Sequence, residues 1–161
     1  MRFLIFFLFI TSCLYGQIDF EKEYEKQYEI NITKEYLNDV YIPKDFEEAF
    51  AELKRLANQE AITKFKNAEE EVIRHRLHFG VGRWISVKWN FEAGSRFSHM
   101  MKEMGVTFPD DMTEMTLVSF HRHLNGSLLK LEDQSESFFE KRKKENEERK
   151  KKAKELLVKN N

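Results

Sequence analysis

The chain has 161 residues, enough for one domain of ordinary size with tails once a leader is set aside. Its 27 Lys plus Arg nearly balance 28 Asp plus Glu, so no whole-chain basic excess argues for nucleic acid or an anionic membrane as partner. Fifteen Phe, five Tyr and two Trp supply a large aromatic core, and a single cysteine excludes a disulfide framework.

The N-terminus reads as an export signal. Arg2 is the charged n-region, Phe3 to Ile10 form an unbroken apolar run, and Thr11 to Gly16 make a small or turn-prone exit before Gln17. The run is too short for a membrane helix, which needs roughly 20 apolar residues. Residues 1–16 are therefore expected to be a signal peptide and the protein to be periplasmic or secreted. Two processing outcomes stay open. Cleavage after Gly16 releases a chain beginning at Gln17, whereas lipidation of Cys13, in the lipobox-like Ile10-Thr11-Ser12-Cys13, tethers the protein to the cell envelope. The first is favoured, because Leu14-Tyr15 is a poor start for a polar tether.

After the leader the expected class is all-α: no run sustains period-two alternation, and only Pro43 and Pro109 interrupt the chain. Residues 17–40 form an acidic, Tyr-bearing arm in which Phe20, Tyr24 and Tyr28 fall at i, i+4 and i+8, suiting either a short amphipathic helix or a loose segment. A helical domain follows over residues 41–126. Asp45 opens its first helix, with Phe46, Phe50, Leu53 and Ala57 on one stripe and Ala49 and Leu56 beside it. Ile62 and Phe65 mark a short helix. Asn67 and Glu70 then resemble a capping box for a helix carrying Val72, Ile73 and Leu77. Gly80 and Gly82 predict a turn, and Trp84 and Trp89 with Val81 and Ile85 read as a core wedge.

Ser95 is expected to cap a helix through Met104 that ends at Gly105. Pro109 at a first turn, Asp110 and Asp111 beside it, and Asn125-Gly126 at the far end bound the clearest helix of the chain, with the two acids expected to satisfy its first amides. Residues 127–161 form a charged C-terminal helix or tail. Leu128 and Leu131 are expected to dock its start, while pairs such as Glu140 with Lys144 and Glu145 with Arg149 support a solvated helix. Ten Lys or Arg against five Glu between Phe139 and Lys159 leave it locally basic.

Candidate chemistry is sparse. His75 and His78, with Glu71 one turn earlier, share a face, but zinc helices use histidines at i and i+4 with a further ligand. His121 and His123 point about 200° apart on a helix, and Asp111 lies about 15 Å along the axis from His121. Gly80-Val81-Gly82 lacks the Lys-Ser/Thr of a phosphate loop, and no Gly-x-Ser-x-Gly elbow occurs. No catalytic residue, metal ligand set or cofactor is assigned on these grounds.

Tyr41-Ile42-Pro43, Gly82-Arg83-Trp84-Ile85 followed by Trp89, Gly94-Ser95-Arg96, Pro109-Asp110-Asp111-Met112 and His121-Arg122-His123-Leu124-Asn125 occur in an order that resembles the bacterial domain of unknown function 6794 over residues 41–126, about half the chain. The resemblance implies a compact helical module and no established activity. It also implies Arg and Asn after the Trp-Ile pair and His before Pro-Asp-Asp, where this chain has Ser86, Val87 and Phe108.

The reading is thus an exported binding module with an unidentified protein partner. Its expected contact surface is Trp89, Arg96, His121 and Arg122, where the matched motifs converge. The alternatives are a hydrolytic or metal-dependent enzyme using His75, His78, His121 or Asp111, and a lipid-anchored envelope structural protein. Mass spectrometry of the mature N-terminus separates the processing outcomes: a chain starting at Gln17 is expected, and a diacylated Cys13 overturns it.

Overall fold

Apolar residues spaced three and four apart recur through most of this chain, and most of it is helical as a result. The structure, a computed structural model, describes residues 21–76 and 78–159. The expected leader with Cys13 lies outside them, as do Leu77 and the side chain of His78. In order come α1 (residues 21–31), a hairpin of β1 (Tyr36–Leu37) and β2 (Val40–Tyr41), α2 (Phe46–Leu56), α3 (Gln59–Asn67) and α4 (Glu70–Arg76). A π-helical turn at His78–Gly82 leads into α5 (Arg83–Lys88), α6 (Arg96–Glu103), α7 (Pro109–Leu124) and the long α8 (Leu131–Lys159). The fold is all-α apart from the hairpin.

The described part of the arm, residues 21–40, is ordered. Its helix α1 is tied down by three hydrogen bonds, from Tyr24 Oη to Glu92 O (2.9 Å), between Tyr28 Oη and His99 Nδ1 (2.9 Å), and from Asn31 Nδ2 to Ala93 O (3.4 Å). Gly94 makes the closest approach possible: at φ +92° it lies under the Tyr28 ring, and a Cβ there would stand 2.2 Å from Tyr28 Cδ2. The hairpin turns at Asn38 and Asp39, both at positive φ (48° and 61°), as a type I′ turn requires. Strands of two residues leave no alternation for a sequence reading to detect.

Caps set several helix ends. Asp45, Asn58 and Ser95 accept from the backbone amides of Glu48, Ala61 and Ser98, and the Ser95–Ser98 pair is reciprocal. The sequence expectation at Asn67 does not hold. Asn67 is the last residue of α3, because Asn58 caps that helix early enough for it to run on to Asn67. Helices α6 and α7 both close with a Schellman pair, Val106 N to Met101 O with Gly105 N to Lys102 O, and Ser127 N to Arg122 O with Gly126 N to His123 O.

Helix α7 is the centre. It packs against α2, α3, α4, α5, α6 and α8, and every residue from Asp111 to Phe120 except Glu114 is buried. Around it lie Phe46 and Phe50 of α2, Ile73 of α4, Ile85 of α5, Trp89, Phe91, and Phe97 and Met101 of α6. Helix α8 contributes Phe138 to the same core, with Leu129 and Leu131 packed against it. Leu128, expected to dock the helix, is exposed instead.

The two tryptophans part company. Trp89 is wholly buried, its ring edge-on to Phe97 at 5.5 Å, whereas Trp84 is 38 % exposed. Val81, Ile85 and Trp89 repeat every four residues and make one inward stripe, and Trp84 sits one position, about 100°, off it. Trp89→Ala should therefore cost about 3–5 kcal/mol in denaturant unfolding, and Trp84→Ala much less; equal losses at the two positions would contradict this packing.

Candidate functional site

The residues expected to form a contact surface are engaged inside the molecule. Trp89 is core and reaches no surface. Arg96 donates Nε to Ile42 O (2.6 Å) and Nη2 to Glu48 Oε2 (3.3 Å), and its guanidinium lies 5.3 Å from the Tyr41 ring centre. It thereby fastens α6 to the segment leading into α2. Hydrogen bonds from the Lys44 ammonium, the Tyr41 hydroxyl and the Lys44 amide hold the same Glu48 carboxyl down at about 2.

His121 bonds through Nε2 to Ala68 O (2.9 Å), at the end of α3. Arg122 grips Glu70 with both Nε (2.8 Å) and Nη2 (2.7 Å) and gives Nη1 to Leu129 O (2.9 Å). His123 faces elsewhere, stacked 4.7 Å from Phe50 and 2.7 Å from Lys54 Nζ. Burial and the Lys54 charge lower its pKa. The two histidines thus diverge as their spacing requires, and Arg96 and Arg122 serve separate ties rather than one patch.

Of the residues considered for enzymatic chemistry, Asp111 meets a guanidinium group. Asp111 is 1 % exposed, and its carboxylate accepts from Arg142 Nε (2.6 Å) and Nη2 (2.7 Å) and from Lys141 Nζ (3.3 Å), all on α8. Sequence reading assigned that carboxylate to the amides of its own helix; the structure turns it toward α8 instead, because a bidentate guanidinium is the stronger partner for a buried charge. Arg142 also stacks 4.2 Å from the Phe108 ring. Beside it Arg74 bridges Glu114 (2.6 Å) and Glu70 (2.8 Å), and Arg122 foremost, then Arg74, lowers the Glu70 pKa. Arg74, Asp111, Glu114, Lys141, Arg142 and Glu145 are among the residues that line a polar cleft of about 330 Å³ between α4, α7 and α8, and Asp111, Glu114 and Glu145 are each paired there with an arginine. His75 pairs with Glu71 on an exposed helix face, and no group of three or more potential ligands stands ready for a metal among the described residues.

A second cluster joins α1 to α6. Lys102 Nζ lies 4.3 Å over the Tyr28 ring, and burial lowers the lysine and raises the tyrosine pKa. Tyr28, already bonded to His99, is thereby moved away from the phenolate form. The arrangement fastens the arm.

Another open site is apolar. A half-open groove of about 380 Å³ runs between Leu53 of α2 and Ala57 just past it, Ile62 and Phe65 of α3, Val72 of α4, and Phe120 of α7. Such a volume lies within the about 300–1,000 Å³ of small-molecule sites. Its roof is unusual. Helix α3 turns an apolar face inward yet buries none of its residues fully. Polar ties hold it at its ends: Asn58 caps its start, while Asn125 Nδ2 to Lys66 O (3.0 Å) and His121 to Ala68 O fix its finish. Sequence reading saw Ile62 and Phe65 only as helix markers. The signal missed was a short amphipathic helix bracketed by Asn58 and Ala68, too small to fill the space it covers.

Removing Arg142 should leave the buried Asp111 charge with only the longer, 3.3 Å contact to the half-exposed Lys141. Arg142→Ala is expected to cost about 3 kcal/mol or more, against about 0.5 kcal/mol or less for the exposed neighbour Lys143→Ala. Denaturant midpoints decide between this and a merely solvated α8, for which both substitutions would be neutral.

The pattern of a protein family described as a domain of unknown function (DUF6794) matches residues 42–124. No curated protein and no solved structure matches the chain.

Proposed function

The chain belongs to the DUF6794 family, and we propose that it acts as an exported binding module whose ligand is a single acyl chain or a similarly slender apolar molecule held beneath α3. The observation that carries this reading is the groove itself: its walls are carbon from four helices, and its roof is a helix held at its ends rather than by full burial. A helix so held can shift to admit a ligand without breaking the core under it. Arg74, Arg96, Arg122 and Arg142 are each tied to a carboxylate of the domain, which favours burial of apolar surface as the driving force.

Lys64 stands at the edge of the groove, 2.7 Å from Glu60 and well exposed, so an anionic headgroup has one cation to meet outside the apolar walls. The export half of the reading rests on Arg2 and the Phe3–Ile10 run.

Displacement of a fluorescent fatty acid by a series of saturated fatty acids tests the ligand class. Affinity should rise about fourfold per added methylene, the equivalent of about 0.8 kcal/mol, until the groove is full. Ala61→Phe, which adds bulk into the groove from an exposed position, should weaken binding at least about tenfold (about 1.4 kcal/mol) without lowering the melting temperature. No binding of the probe, or unchanged binding by Ala61→Phe, would overturn the reading.

A further inference from the structure

Beyond Glu145 helix α8 lies on no other element among the described residues. Every described side chain from Asn146 to Leu157 is exposed, so residues 146–157, about 18 Å of helix at 1.5 Å per residue, stand clear of the described domain. A solvated helix of this kind needs only balanced charges at i, i+4 spacing. Its last three turns have something else. From Arg149 to Lys159 there are six cations and one anion, Glu155, and within that stretch Leu156 and Leu157 are 62 % and 68 % exposed.

The arrangement around the helix is ordered. Ala153 lies three and four residues before Leu156 and Leu157, so the three share one face. At 100° per residue Lys152 and Lys154 flank that face on its two sides, and Glu155 falls nearly opposite Ala153. Solvation gives no reason to place two leucines between lysines at a helix tip. A duplex or single strand of nucleic acid uses the cations and leaves the leucines in water. A lipid surface with anionic headgroups uses both: the leucines enter the acyl boundary, and the lysine stems lie along it with their ammonium groups among the phosphates.

We propose that the tip of α8, residues 149–159, is an anchoring element for an anionic phospholipid surface, with Leu156 and Leu157 inserted and Lys150, Lys152 and Lys154 on the headgroups. The 29-residue helix then acts as a spacer, because its base is locked by Phe138 and the Arg142–Asp111 pair while its far end meets the membrane surface. This anchor is independent of the groove under α3 and of any modification at Cys13.

The test is co-sedimentation of the chain beginning at Gln17, which keeps every described residue, with vesicles of phosphatidylcholine alone or mixed with phosphatidylglycerol. Binding is expected with the mixed vesicles only, and to fall steeply as salt is raised. Leu156→Ser with Leu157→Ser should lower the vesicle affinity at least about tenfold, as should Lys150→Glu, Lys152→Glu and Lys154→Glu together, both at an unchanged melting temperature. Equal binding to neutral vesicles, an unaffected leucine double variant, or tighter binding to duplex DNA than to the mixed vesicles would each overturn the proposal.

Discussion

The structure depends on one helix being buried all the way round. α7 has no solvent face between Asp111 and Phe120 apart from the half-buried Glu114, so its polar residues must be satisfied inside the protein. Thr113 and Thr116 do this locally, donating to the carbonyls of Pro109 (2.8 Å) and Met112 (2.7 Å). Ser119 and Asp111 cannot. Both draw on α8, through Gln134 Nε2 (3.1 Å) and Arg142. The charged helix is therefore part of the domain at its base, because the central helix carries polar groups that only α8 reaches.

That requirement divides the surface. On the side of α4, α7 and α8, arginines and carboxylates from distant parts of the chain neutralise one another in a connected network, Arg122–Glu70–Arg74–Glu114 with Arg142–Asp111 beside it. On the side of α2 and α3 the groove walls are aromatic and aliphatic, and α3 is too short and too lightly packed to close the space beneath it. A polar face with its charges matched offers little to a ligand. An apolar face left half open does.

Some of this was readable beforehand and some was not. Asp45, Ser95 with Gly105, and Pro109 with Asn125-Gly126 mark helix ends through contacts spanning a few residues, and they stand where they were expected. The inward stripe of Val81, Ile85 and Trp89 was also legible as a four-residue repeat, but the indole of Trp84 drew attention to the wrong position. The π-helical turn at His78–Gly82 was not legible, since Gly80 and Gly82 equally suit a tight turn. For Arg96, His121 and Arg122, the convergence of the matched motifs suggested a contact surface. Long polar side chains serve equally well as internal ties, and which use they have depends on what stands opposite.

The sequence by itself determined the all-α class, the major helix limits and the family, because capping, helical periodicity and motif order are properties of neighbouring residues. Tertiary structure decided which charges are structural and where the open surface lies. Arg96 meets Ile42 across 54 positions, Arg122 meets Glu70 across 52 and Arg142 meets Asp111 across 31. No local pattern encodes such pairings; they exist only once packing around α7 has brought the helices together and removed the water that would otherwise solvate each charge.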